Sequence, residues 1–190
     1  MPDHDVIYQE KAAMYDRLIS KQKSVIPFLE KICSGKGANI VDMGAGTGRL
    51  TCLLAKTARR LVALDESSEM LAVTAEKLKA TGIDNWQVQV ADHRRLPVED
   101  DWADLVVSGW SICYLASSNH PDWRQNLNQI ISEIKRVLKP GGTSVIFETM
   151  GTGTEEPEPP DFLVKYYQAL EEEYGFSPCG HRNRLYVRES

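Results

Sequence analysis

The chain has 190 residues, with 22 lysines and arginines against 27 aspartates and glutamates and a formal charge of −5. At ~150 residues per domain this length fits one domain, and a chain of this size buries roughly 70% of its unfolded surface, so a single sizeable core is expected. The acid excess, with no basic run beyond Arg59-Arg60 and Arg94-Arg95, argues against a nucleic-acid partner, which calls for a basic patch.

No apolar stretch approaches the ~18 residues of a membrane span, and the acidic start MPDHDV lacks a signal-peptide core. No membrane association and a cytoplasmic location are therefore expected. The four cysteines (Cys33, Cys52, Cys113, Cys179) have no C-x-x-C spacing and no histidines at ligand spacing, which leaves no case for a metal site.

Residues 6–32 read as helical, with Ala12, Ala13, Tyr15, Leu18 and Ile19, then Val25, Phe28, Leu29 and Ile32 at three and four spacing; Pro27 marks a break or a first turn. The next stretch, residues 39–51, organises the rest. A short apolar run (Ile40, Val41) leads to Asp42, glycines alternate at 44, 46 and 48, and a helical pattern starts at Leu50, Leu53 and Leu54. The order is strand, tight turn, helix. Glycine permits backbone angles and close approaches that other residues block, and a helix start presents N–H groups and positive dipole, so a small polar or anionic group suits this turn. The spacing is not the dinucleotide G-x-G-x-x-G, because Arg49 stands where its third glycine would be.

Residues 61–64 read as a buried strand ending in Asp65, where an acid can accept from ribose hydroxyls. Ser67 is a helix N-cap, and the helix carrying Leu71, Ala75 and Leu78 stops near Gly82. Alternation at Trp86, Val88 and Val90 predicts a strand ending at Ala91-Asp92. Residues 104–107 form a fourth strand that ends in Ser108-Gly109-Trp110-Ser111. In open parallel sheets ligands bind beyond the carboxyl ends where strand order reverses, here expected between strands one and four. Residues 122–138 carry the cleanest helical stripe and stop at L-K-P-G-G, before a strand over 143–148. An acidic Gly/Pro-rich loop with Glu155, Glu156 and Glu158 follows, then a helix from 161 with Leu163, Tyr166, Tyr167, Leu170 and Tyr174, and a last strand at 185–187.

The glycine turn resembles motif I of the class I S-adenosylmethionine (SAM)-dependent methyltransferases. Two further segments carry the same resemblance: D-E-S-S-E-M-L at 65–71 matches an acid-x-Ser-x-x-Met-Leu pattern, and L-K-P-G-G at 138–142 precedes the fifth strand in many members. The resemblance covers roughly residues 12–148. It implies an α/β fold, a doubly wound, mostly parallel sheet with helices on both faces (Rossmann-like). The single domain would comprise a helical cap (1–37), a cofactor-binding core (38–148) and a substrate-side loop, helix and strand (149–190).

The resemblance also implies SAM as cofactor and S-adenosylhomocysteine as product. Gly44, Ala45, Gly46 and Gly48 would admit the methionine portion, with Asp42 orienting its amino group through the turn and Ser108 facing it. Asp65 would hold the ribose, Glu66 and Met70 would lie near ribose and adenine, and Asp92 would receive the adenine amino group beside His93. Tyr15, of the pair Tyr15-Asp16, would sit on a helix closing over the cofactor. Trp110 would wall the cofactor from substrate, and Tyr114 would line the pocket. Tyr15, Met70 and Trp110 equally suit plain packing. The family's sheet has seven strands, the seventh antiparallel between five and six; six are legible here, so the C-terminal strand region reads as shortened, and an open edge invites a second copy.

The implied reaction moves the sulfonium methyl to a nucleophile of a small-molecule acceptor by in-line displacement. A general base is needed where that nucleophile is protonated; His93, His120, His181 and Glu148 are possible, and the catalytic residue stays unassigned. Two alternatives stand beside it: a SAM-binding scaffold or regulator without transfer, and a nicotinamide-dependent oxidoreductase, which Arg49 and L-K-P-G-G disfavour.

Overall fold

The computed structural model describes residues 12–19, 29, 35–149, 158–179 and 183–189. Val25, Pro27, Phe28, Ile32, Cys33, Glu155, Glu156 and His181, all read from sequence, lie outside the described residues. The elements in order are α1 (Ala12–Ile19), β1 (Asn39–Met43), α2 (Thr51–Leu54), β2 (Arg60–Asp65), α3 (Ser68–Ala80), β3 (Trp86–Val90), β4 (Ala103–Gly109), α4 (Cys113–Ala116), α5 (Trp123–Val137), β5 (Leu138–Thr149), α6 (Asp161–Glu172), β6 (Ser177–Cys179) and β7 (Asn183–Glu189). The seven strands form a mostly parallel sheet in the order β3-β2-β1-β4-β5-β7-β6. The chain divides into two compact units, Met1–Asp92 and His93–Ser190.

In the first unit β1, β2 and β3 pair in parallel, Ile40 opposite Leu61 and Leu61 opposite Trp86. β1 is a near-continuous apolar run because a parallel strand is covered on both faces, and Ile40, Val41 and Met43 are wholly buried. α3 starts where the sequence predicts: Ser67 is extended and its hydroxyl accepts the Met70 N–H at 3.2 Å. Asn85 fixes the approach to β3 by donating to the Ala55 and Ala58 carbonyls at 3.0 and 2.7 Å.

In the second unit β4 and β5 are parallel, while β7 runs antiparallel to both β5 and β6. α5 buries Leu127, Ile130, Ile131, Ile134 and Val137, the predicted stripe. The sequence reading needs two corrections here. β5 starts at Leu138, directly after α5, rather than at 143, because Lys139–Gly142 join the strand instead of forming a separate stop; a Cβ at Gly142 would meet Leu138 Cδ2 and the Lys139 carbonyl at 2.9 Å. The sheet also has seven strands, not six. β6 is three exposed residues, Ser-Pro-Cys, with no alternation to read, and it occupies the edge that looked open. Pro178 at its centre has no N–H to offer a further strand.

No helix among the described residues is long and apolar enough to cross a membrane.

Candidate functional site

The residues selected from the sequence fall into both units. In the first unit the turn after β1 is folded by the end of β2. Gly44 and Ala45 N–H both donate to the Leu64 carbonyl (2.8 and 2.9 Å), and Gly48 N–H donates to Ala45 O at 2.9 Å. Gly46 N–H donates to Asp65 Oδ2 at 2.8 Å, and the other Asp65 oxygen accepts the Ser67 N–H at 2.9 Å. These four N–H groups of the turn are spent inside the fold. Asp65 is correspondingly fixed in place, tying the turn to the start of α3, while an ionised carboxylate keeps lone pairs for further donors.

The glycines divide by what surrounds them. A Cβ on Gly48 (φ +84°) would meet Thr74 Oγ1 at 2.9 Å and Cys52 Sγ at 3.1 Å, so Gly48 serves internal packing. A Cβ on Gly46 (φ +53°) would meet nothing within 4 Å among the described residues. Space is open over Gly46.

Asp42 is wholly buried at the end of β1. Its Oδ2 accepts the Thr51 hydroxyl at 2.6 Å, whereas among the described residues its buried Oδ1 accepts no hydrogen bond. Burial pushes its pKa from 3.8 up to about 7; the Thr51 hydroxyl opposes that rise and the nearby Asp65 charge adds to it. Tyr15 on α1 lies near the half-buried Arg49, whose pKa burial lowers. Met70 is fully buried and Glu66 is exposed. Asp92 is partly buried beyond β3.

Sequence reasoning missed the supports of this turn. Thr74 Oγ1 donates to the Gly46 carbonyl, Lys77 Nζ to the Thr47 carbonyl, and Thr47 Oγ1 to Asp16 Oδ1, each at 2.8 Å. Thr74 and Lys77 are three apart on one helix, a spacing visible in the sequence; nothing in it says which carbonyls that face meets.

In the second unit Ser108, buried at the end of β4, shares a 2.8 Å hydrogen bond with Ser111 Oγ, which also lies 3.1 Å from His93 Nε2. Ser111 thus brings two selected residues together and was itself overlooked. Trp110 takes a left-handed backbone (φ +54°), rare for a bulky side chain and a mark of local strain. Its N–H donates to the Phe147 carbonyl at 2.8 Å, and the two rings are 5.7 Å apart. Tyr114 on α4 is 50% exposed. His120 accepts the Asp122 N–H at 3.3 Å within its own loop. Glu148 is wholly buried on β5, and its Oε1 accepts the Tyr166 hydroxyl at 2.8 Å. Burial lifts its pKa from 4.5 to about 7, against hydrogen bonds from Tyr166 and Cys113; desolvation, with the Glu148 charge beside it, raises the Cys113 thiol well above its usual range.

Compared with known proteins, residues 41–146 match the family model described as "Methyltransferase domain". The chain is 31% identical over 150 residues to a malonyl-[acyl-carrier protein] O-methyltransferase of Marinomonas sp., covering 77% of this chain and 51% of that protein. It is 32% identical over 135 residues to the demethylmenaquinone methyltransferase of Bacillus subtilis, covering 70% and 52%. It therefore spans about half the length of the curated relatives it matches. A solved SAM-dependent methyltransferase from Aquifex aeolicus superposes with TM-score 0.69 over 98% of this chain and 93% of that one; at 18% identity the likeness is one of fold.

Proposed function

Because this chain belongs to the class I S-adenosylmethionine-dependent methyltransferases, we propose that it binds SAM at the glycine turn of its first unit and transfers the sulfonium methyl to a small-molecule acceptor. The observation that carries the reading is Asp42 Oδ1, a buried carboxylate oxygen without a hydrogen bond among the described residues. Burying such an atom unsatisfied is costly, roughly 1–3 kcal/mol or more for a charged group, and a ligand ammonium, such as that of a methionine moiety, would satisfy it. The open space over Gly46 suits the same moiety, flanked by Gly44, Ala45 and Gly48. Asp65, held by the Gly46 and Ser67 N–H groups, would receive the ribose hydroxyls, with Glu66 beside it. Asp92 would receive the adenine amino group, and Met70, packed beneath, would shape the floor.

When bound, the cofactor supplies an electrophilic methyl on a positively charged sulfur, and its transfer leaves S-adenosylhomocysteine. The chain's own residues bind and orient. Aligning two reactants is worth roughly 7 to 11 kcal/mol, so no covalent nucleophile is required. The named relatives act on malonyl-[acyl-carrier protein] and demethylmenaquinone, two unlike acceptors; they support methyl transfer without choosing a substrate. The family match runs through both units, which supports their serving as one methyltransferase domain.

The test is transfer of labelled methyl from SAM to a panel of small hydroxyl, carboxyl, amine and quinol acceptors. Label in any acceptor, lost in Asp65→Ala, is expected. SAM binding with no labelled product across the panel and a cell extract would instead favour a scaffold that binds the cofactor without transfer.

A further inference from the structure

The glycine turn is gripped by a side-chain network that the cofactor reading leaves unused. α3 presents Thr74 and Lys77 to two consecutive carbonyls of the turn, those of Gly46 and Thr47. Lys77 Nζ reaches Asp16 Oδ1 as well, at 2.5 Å, and that oxygen also accepts the Thr47 hydroxyl. Thr47 is thereby held twice, by its carbonyl and by its hydroxyl, and both holds meet at the Asp16–Lys77 pair. The side chains of Lys77 and Asp16 are 36% and 21% exposed, so water and salt screen this pair less than one standing free on the surface.

The pair joins elements distant in sequence. The described part of α1 is Ala12–Ile19. It packs on α3, and Asp16 is its charged contact to both α3 and the turn.

We propose that Lys77 is a positioning residue for the glycine turn: by bridging Asp16 to the Thr47 carbonyl it fixes the turn and docks α1 beside it, and through both it sets how tightly the adenosyl ligand is held. The inference rests on the reading of that turn as the SAM site. Neither residue touches the ligand in this scheme; both act through Thr47. Affinity should therefore depend on ionic strength through this pair, and arginine at 77, which keeps the charge and can reach the same acceptors, should largely preserve it.

The test measures S-adenosylhomocysteine affinity for the full chain, Lys77→Met, Asp16→Asn, the double variant and Lys77→Arg at low and high salt, together with amide hydrogen exchange of residues 12–19 without ligand. The expected result is about a tenfold loss in each single variant, the scale of one charge-assisted hydrogen bond. The double variant should be no weaker than either single, Lys77→Arg should stay within about threefold of wild type, and the salt dependence should be smaller in the variants that lack the pair. Exchange over 12–19 should accelerate in Lys77→Met. Unchanged affinity in Lys77→Met, losses that add in the double variant, or unaltered exchange would overturn the proposal. If the wild-type chain binds no S-adenosylhomocysteine, the SAM reading has failed, and exchange over 12–19 still decides whether Lys77 docks α1.

Discussion

Asp42 is a carboxylate that the fold keeps from water, and its titration gives a direct handle on the turn. Its folded pKa, about 7, lies above the ordinary 3.8, so the proton binds the folded chain more tightly than the unfolded one. The stability it contributes is present in full below about pH 4 and is lost as pH rises through about 7. Glu148 acts in the same direction from 4.5 to about 7. Asp42→Asn should therefore flatten the fall in stability between pH 5 and 8 and leave the ligand-free variant more stable than wild type at pH 8. The ceiling is about 4 kcal/mol, the equivalent of a rise of roughly three pKa steps. The same variant should bind S-adenosylhomocysteine more weakly, because a ligand ammonium loses its counter-charge. Urea denaturation of both proteins across that range checks this; parallel curves would refute the assignment of the buried charge. The acidity of residue 42 and its place before the glycines are legible in the sequence. That Thr51 satisfies one of its oxygens while the other accepts no hydrogen bond among the described residues is not, since it depends on how α2 turns over the end of β1.

Strand, turn and helix around residues 39–54 are legible as one element because apolar run, glycine alternation and helical spacing agree. Elsewhere legibility follows the strength of the periodic signal. α5 shows its buried stripe over four turns; α4, four residues long, and β6, three exposed residues with a proline, are too short to show any period. Register and side-chain partners escape sequence reading for the same reason that Lys77 does: they are set by which faces meet. The turn itself makes a paired prediction. Gly46→Val places a side chain in open space at φ +53°, so the protein should fold at a cost of about 1–2 kcal/mol for the left-handed backbone and lose S-adenosylhomocysteine binding. Gly48→Ala drives a methyl against Thr74 and Cys52, and its main effect should be on stability, roughly 1–3 kcal/mol from overpacking in addition to backbone strain. Thermal melts and titrations of the two variants distinguish a glycine kept for the ligand from one kept for packing; loss of binding in Gly48→Ala with no loss of stability would reverse these roles.

At the scale of the whole molecule, three separate segments, the turn at 44–48, the acid-x-Ser-x-x-Met-Leu at 65–71 and L-K-P-G-G at 138–142, point to one family, and the match over 41–146 agrees. The C-terminal region misleads because its sheet is closed by two strands, β6 and β7, of which only the second is apolar enough to read. The acceptor is not legible for a physical reason as well: methyl transfer asks the protein for alignment rather than for a reactive side chain, so no residue type announces the substrate. Cofactor binding is accordingly the claim on which the rest stands. The most direct measurement is calorimetric titration of the full chain and of Asp65→Ala with S-adenosylhomocysteine. The account predicts micromolar binding by the wild-type chain and a loss of tenfold or more in the variant, about 1.4 kcal/mol per tenfold. No binding by the wild-type chain, or equal affinity in both, would contradict it.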